Sequence, residues 1–310
     1  MQRRYAWSIP AEYTMHRNII ITGTFLVLFI IAAGCTGTSP KSTYSVNEKG
    51  ILSLTCAKVS SSEQVLFSNE TYTKSKLTLH TENGDVVTYL STPEQPRAIL
   101  VYAPGAGEKL AGHEERMVRF AAAGFGFLFV DIRGNGGETP GYPINPGKDF
   151  SLFENGGWPQ YYLTICDLSS VRQLLTEKFG VPVYAIGSSN GGRYAAVAAG
   201  TDPQFAGYIG ISTSDWGILD SAVQQGYTGD IVRFSTSLEP STYLSRLSPR
   251  PIWMFHSRED PVIPFGQGQA LFASASEPKT FTEFSGGHGI DPGVDALIIG
   301  QWAQIYGTRG

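Results

Sequence analysis

The run Gly187-Ser188-Ser189-Asn190-Gly191 sets a serine midway between two glycines. The apolar stretch 183–186 before it reads as a buried strand, and the small side chains of 193–199 after it read as a helix. In a strand-to-helix setting, G-x-S-x-G forms a sharp turn that presents its central hydroxyl. The frame selects Ser189, because centring on Ser188 would require glycine at Ile186 and Asn190. No lysine follows the glycines and the G-x-G-x-x-G spacing does not fit, which disfavours a phosphate loop or a dinucleotide turn. Taken alone, the motif also describes an ordinary glycine-rich turn.

A serine hydroxyl is a poor nucleophile at neutral pH. It needs a base to take its proton, and the base needs a carboxylate to hold its tautomer and stabilise its cation. Of five histidines, His16 lies in an N-terminal apolar region and His80 in a hairpin. His113 opens a helix and is expected at the surface, while His256 sits inside the strand "PIWMFHS". His288, in the glycine-rich loop "SGGHGID" directly after the last strand, is best placed to approach a nucleophile. The acid is expected to end a strand too. Asp260, in "HSREDPVIP", is the choice, with Asp215 and Glu259 as competitors. An Asp before Pro is also a common turn former.

These residues need a frame to bring them together. Alternation either side of Asn83-Gly84 predicts an N-terminal antiparallel hairpin. After it, apolar strands at 98–105, 125–131, 181–187, 205–213, 251–257 and 279–285 alternate with helices at 114–124, 161–180, 191–200, 265–275 and 292–306. That pattern predicts an α/β domain with a mostly parallel central sheet and helices on both faces, over residues 51–310. Reactive groups then belong at the carboxyl ends of the strands. A short insertion at about 214–240, carrying Trp216 and Tyr227, follows one such strand. The segment 134–162 brings Phe150, Phe153, Trp158, Tyr161 and Tyr162, either as pocket walls or as loop core.

The order Ser189, Asp260, His288 is that of the α/β-hydrolase triad. From Ala98 to the C-terminus the chain resembles the α/β-hydrolase superfamily, through "GSSNGG", "HSREDPVIP", "GGHG", "DIRGNGGE" and "PSTYLSRLSPRPIWMFH". The nearest branches are serine esterases, dienelactone-hydrolase-like and prolyl-peptidase-like proteins. The resemblance implies an acyl-enzyme mechanism without a metal or organic cofactor, with Ser189 as nucleophile, His288 as base and Asp260 as its orienting acid. It implies an oxyanion hole from the backbone N–H of Asn190 and of Ala106. Here Pro104-Gly105-Ala106 replaces the usual His-Gly-x. The implied substrate is a small-molecule carboxylic ester. A peptide or thioester is the alternative, and a catalytically inactive binding protein is the reading of another class.

The 310 residues carry a formal charge of −4, without a basic cluster that would predict nucleic-acid binding or a spacing that would predict a metal site. Arg17 precedes the uncharged apolar stretch 18–34, which ends in Ala32-Ala33-Gly34-Cys35. This reads as a secretory signal over 1–35 whose end resembles a lipobox, although Ala32 stands where that motif usually has leucine. The expectation is an exported protein held at the membrane by a lipid on Cys35, or by an uncleaved anchor, with 36–50 as a tether. Met15 is an alternative start to Met1. Cys56 and Cys166 are either a disulfide or two buried thiols.

Overall fold

A computed structural model describes residues 41–307. The predicted signal segment, Cys35 and the start of the expected tether lie outside the described residues. The tether also ends earlier than expected. β1 (Thr43–Val46) pairs antiparallel with β2 (Leu52–Thr55). Tyr44 anchors this ribbon: its ring lies 4.9 Å from that of Trp158 and its hydroxyl donates to the Gly157 carbonyl at 2.6 Å. The segment is too short and polar to show a strand rhythm of its own, and long-range packing orders it.

The main sheet continues with β3 (Ser60–Ser68), β4 (Thr73–Thr81), β5 (Gly84–Thr92), β6 (Ile99–Ala103), β7 (Gly126–Val130), β8 (Val183–Ser188), β9 (Tyr208–Ile211), β10 (Ile252–Ser257) and β11 (Lys279–Phe284). The helices are α1 (Glu114–Ala122), α2 (Pro146–Glu154), α3 (Gln160–Phe179), α4 (Asn190–Thr201), α5 (Ile218–Gln224), α6 (Asp230–Leu238), α7 (Ser241–Leu244), α8 (Phe265–Ser274) and α9 (Pro292–Tyr306). The spatial order is β11-β10-β9-β8-β6-β7-β5-β4-β3. Strands β6 to β11 run parallel, and β3, β4 and β5 form an antiparallel flank joined to β7.

Successive residues of a strand point to opposite faces, and β6 shows it. Ile99, Val101 and Ala103 enter one core layer with α3 and α4, while Leu100 and Tyr102 enter the other with α1 and α9. Strands apolar at every position are thus buried on both sides. The insertion contains α5 and α6, and α6 turns Ile231, Phe234 and Leu238 inward. Phe234 packs against Phe150, Phe153 and Tyr162 at ring separations of 5.3 to 6.0 Å. Those aromatics are therefore core between the insertion and α2. Cys56 and Cys166 form a disulfide, which ties the end of the first ribbon to α3.

Candidate active site

Strand order reverses around β6: β7 lies on one side of it and β8 on the other. Such a switch opens a crevice at the carboxyl ends of the diverging strands. β6 runs out there into Pro104-Gly105-Ala106, and β8 into Ser189. Ser189 has φ 52° and ψ −122°, a strained conformation for a residue with a side chain. Its N–H donates to the Ile211 carbonyl of the neighbouring strand at 2.9 Å, which helps to hold the turn. The flanking glycines are required by space. A Cβ on Gly191 would sit 1.9 Å from the Ala103 oxygen, and one on Gly187 2.3 Å from the Gly191 backbone.

The structure pairs His288 with Asp260. His288 Nδ1 lies 2.8 and 3.0 Å from the two carboxylate oxygens. Asp260 Oδ1 also accepts the N–H groups of Val262 and Ile263, each at 2.8 Å, so the turn after β10 fixes the carboxylate. With Nδ1–H committed to Asp260, the free lone pair of the neutral ring is on Nε2. The competitors go elsewhere: Glu259 is exposed and Asp215 accepts from the Ser241 N–H at 2.8 Å. Among the described residues no hydrogen bond joins Ser189 to His288.

Asn190 opens α4, so its N–H has no acceptor one turn earlier. It shares with Gly105, Ala106, Ile144 and Tyr194 a shallow recess with about 20 Å³ of room for the centre of a water molecule. A larger cavity of about 300 Å³ lies between the β4–β5 hairpin and α3, but no predicted site residue lines it. Arg193 donates to the Asn190 side-chain oxygen at 2.8 Å and stacks over Trp216 at 4.4 Å.

Several polar residues around the site were not anticipated. Glu108, in the same loop as Ala106, accepts from Ser188 Oγ, Tyr102 Oη, the Gly105 N–H and His113 Nε2 at 2.8 to 3.2 Å. Burial acts to raise its pKa, but these hydrogen bonds more than offset it and hold the group down at about 2. His113 is buried, not superficial as its place at a helix start suggested. Its ring packs against Tyr102 and Phe129, with Glu108 and Arg116 on its two nitrogens. Asn135 of "DIRGNGGE" clamps the same loop, donating to the Gly105 carbonyl and accepting from the Gly107 N–H. Glu239, at the end of α6, accepts the N–H groups of Trp216, Gly217, Ile218 and Leu219. The only sequence signal for Glu108 is an acid in the glycine-rich run "PGAGE"; Glu239 has none.

The profile of the family "Serine aminopeptidase, S33" matches residues 94–228. Among solved structures, the chain is similar to an acetyl xylan esterase from Paenibacillus sp. R4. The TM-score is 0.65 at 17% identity, over 80% of this chain and 89% of that one. Acetyl xylan esterase 1 from Thermoanaerobacterium sp. JW/SL YS485 gives 0.62 at 15% identity, over 80% and 88%. The esterase domain of a Rhodothermus marinus protein gives 0.54 at 20% identity, over 75% and 99%. No curated protein matches the chain.

The fold is that of the α/β hydrolases. In this α/β-hydrolase fold the predicted residues fall on three separate strand ends: Ser189 after β8, Asp260 after β10 and His288 after β11. Ala106 and Asn190 line one recess beside the first of these. Among the described residues no group of three or more His, Cys, Asp or Glu is placed to hold a metal ion, and no helix is long and apolar enough to cross a membrane.

Proposed function

We propose that this chain is a serine hydrolase of carboxylic esters with short acyl groups. The observation that carries the reading is the His288–Asp260 pair, its Nε2 free, set at the same edge of the sheet as a serine in a strained elbow. Ser189 attacks the ester carbonyl while His288 takes its proton. The N–H groups of Asn190 and Ala106 receive the developing oxyanion. His288 then protonates the leaving alcohol, and water, activated by the same ring, releases the acid. The shallow recess supports a small acyl group, as do neighbours described as acetyl xylan esterases.

The S33 match favours a second reading, an aminopeptidase. That chemistry needs a carboxylate open to the substrate's ammonium group. Glu108, Asp215 and Glu239 are each engaged by internal donors, which favours the ester. The same proposal places the domain outside the cytoplasm, held through Cys35. The disulfide supports an oxidising compartment.

The test is labelling with a fluorophosphonate, followed by turnover of acetyl and octanoyl p-nitrophenyl esters and of aminoacyl anilides. Ser189 is expected to carry the label and acetyl esters to turn over fastest. Ser189→Ala is expected to lose at least about 10³-fold in kcat without loss of fold. Labelling at another residue would overturn the assignment, and preference for the anilides would select the peptidase.

A further inference from the structure

The nucleophile turn, the Pro104–Ala106 loop and the His288 loop come from distant parts of the chain, yet one buried polar chain touches all three. Its centre is Glu108. Oε1 accepts from Ser188 Oγ, the residue before the predicted nucleophile, at 3.0 Å. Oε2 accepts the Gly105 N–H at 2.9 Å, one residue before the predicted donor Ala106. A Cβ on Gly289, the residue after His288, would lie 3.6 Å from Oε1. The chain then runs on through His113 to Arg116. The Arg116 guanidinium donates to His113 Nδ1 at 2.6 Å, which leaves Nε2–H to donate to Glu108. Arg116 also donates to the Ile290 carbonyl at 2.8 Å, two residues past His288, and to Asp295 of α9 at 2.7 Å.

The contacts at Ser188, Gly105, Gly289 and Ile290 fall one or two residues from a group that must be aimed, and none of them is made by those groups themselves. The Gly105 N–H is turned in to the carboxylate, while Ala106 beside it is exposed. Asn135 holds the same loop from the opposite side through the Gly105 carbonyl and the Gly107 N–H. We propose that Glu108 is a positioning residue that sets the oxyanion loop against the nucleophile elbow and, through His113 and Arg116, against the loop carrying His288. This rests on the serine-hydrolase reading above.

A positioning role predicts a particular kinetic pattern. Oxyanion donors act on the transition state, and removing one costs about 10²–10³ in kcat. A displaced donor is expected to cost less, so Glu108→Gln is expected to lower kcat about 10- to 100-fold with KM changed less than about 3-fold. Affinity for a boronic acid, which captures the serine and mimics the tetrahedral state, is expected to fall in parallel with kcat/KM. Affinity for the carboxylic acid product is expected to stay within about 3-fold, since ground-state contacts are kept. Ser188→Ala removes a single donor to the carboxylate and guards against misfolding of the first variant. It is expected to show the same split at about 3- to 10-fold.

Rates are referred to the fraction of protein that takes the fluorophosphonate label, so that loss of folded enzyme does not count. If both variants keep wild-type kcat and boronate affinity per labelled site while only the thermal midpoint falls, Glu108 is structural and the inference is overturned. A rise in KM at constant kcat would make it a substrate contact and overturn it equally. A wild-type protein that takes no label and turns over no ester overturns the parent reading, and this inference with it.

Discussion

Two glutamates each accept four hydrogen bonds, Glu108 half-buried in the loop after β6 and Glu239 buried at the end of α6, and they lean in opposite directions. Glu108 is held down at about 2, whereas Glu239 is raised to about 7. The count of donors therefore does not decide the charge. Glu239 is 3% exposed, and burial, followed by the neighbouring Asp215 carboxylate, outweighs its four backbone N–H donors. The Glu108 side chain keeps 28% of its exposure. Three of its donors are side chains, Tyr102, Ser188 and His113, and the last also receives a hydrogen bond from Arg116. One carboxylate is an anion that organises the predicted oxyanion loop. The other keeps its proton up to about pH 7 and closes the start of the insertion.

The largest expected effect separates the two by what replaces them. Glu239→Ala leaves four backbone N–H groups without an acceptor in a dry site and is expected to cost about 2–4 kcal/mol in urea unfolding. Glu108→Ala is expected to cost about 1–2 kcal/mol, because its side chain is 28% exposed and cutting it back lets water into the space it leaves. Equal losses would break the comparison.

The pH dependence of stability gives the next effect, with opposite signs. Between about pH 4.5, the ordinary glutamate value, and about pH 7, folded Glu239 still holds a proton that the unfolded chain has released. Stability is expected to fall over that range as pH rises, by at most about 1.4 kcal/mol per pH unit. For Glu108 the unfolded chain binds the extra proton between about pH 2 and about pH 4.5, so its stabilisation is present above that window and lost as pH falls through it. Glu239→Gln is expected to flatten the first limb and Glu108→Gln the second, read from urea midpoints across pH. A Glu239→Gln profile that keeps the wild-type slope would refute its assignment.

The smallest effect sharpens the cause. Asp215→Asn removes the nearby charge but not the burial, and burial is the larger contribution. The Glu239 midpoint, followed by carboxyl-carbon NMR, is expected to fall by less than about one unit. A fall to the ordinary value would make the neighbour, not burial, the dominant cause.

Much of the frame was legible in the chain. Fully apolar runs alternating with helices imply a parallel sheet covered on both sides, and the two glycines around Ser189 imply a turn too tight for side chains. Such features depend on neighbours within a few residues, where period and backbone sterics act directly. The strand at 43–46 was missed because its order comes from Tyr44 meeting Gly157 and Trp158, more than a hundred residues away. His113 was misplaced for a related reason, since a helix start says nothing of what packs over it.

What the sequence determined by itself, then, was the set of elements and the few residues at strand ends with the right chemistry. Tertiary structure decided which of them meet. The β9-β10-β11 order sets the end of β10, not that of β9, beside the end of β11, and the turn there buries Asp260 against His288 while Glu259 is exposed. Only the close approach of the β6 and β8 ends places Glu108 under Ser188. The physical reason is one of range. Backbone preference acts over one turn of chain, whereas charge, hydrogen bonding and burial depend on distances in space that no local pattern encodes.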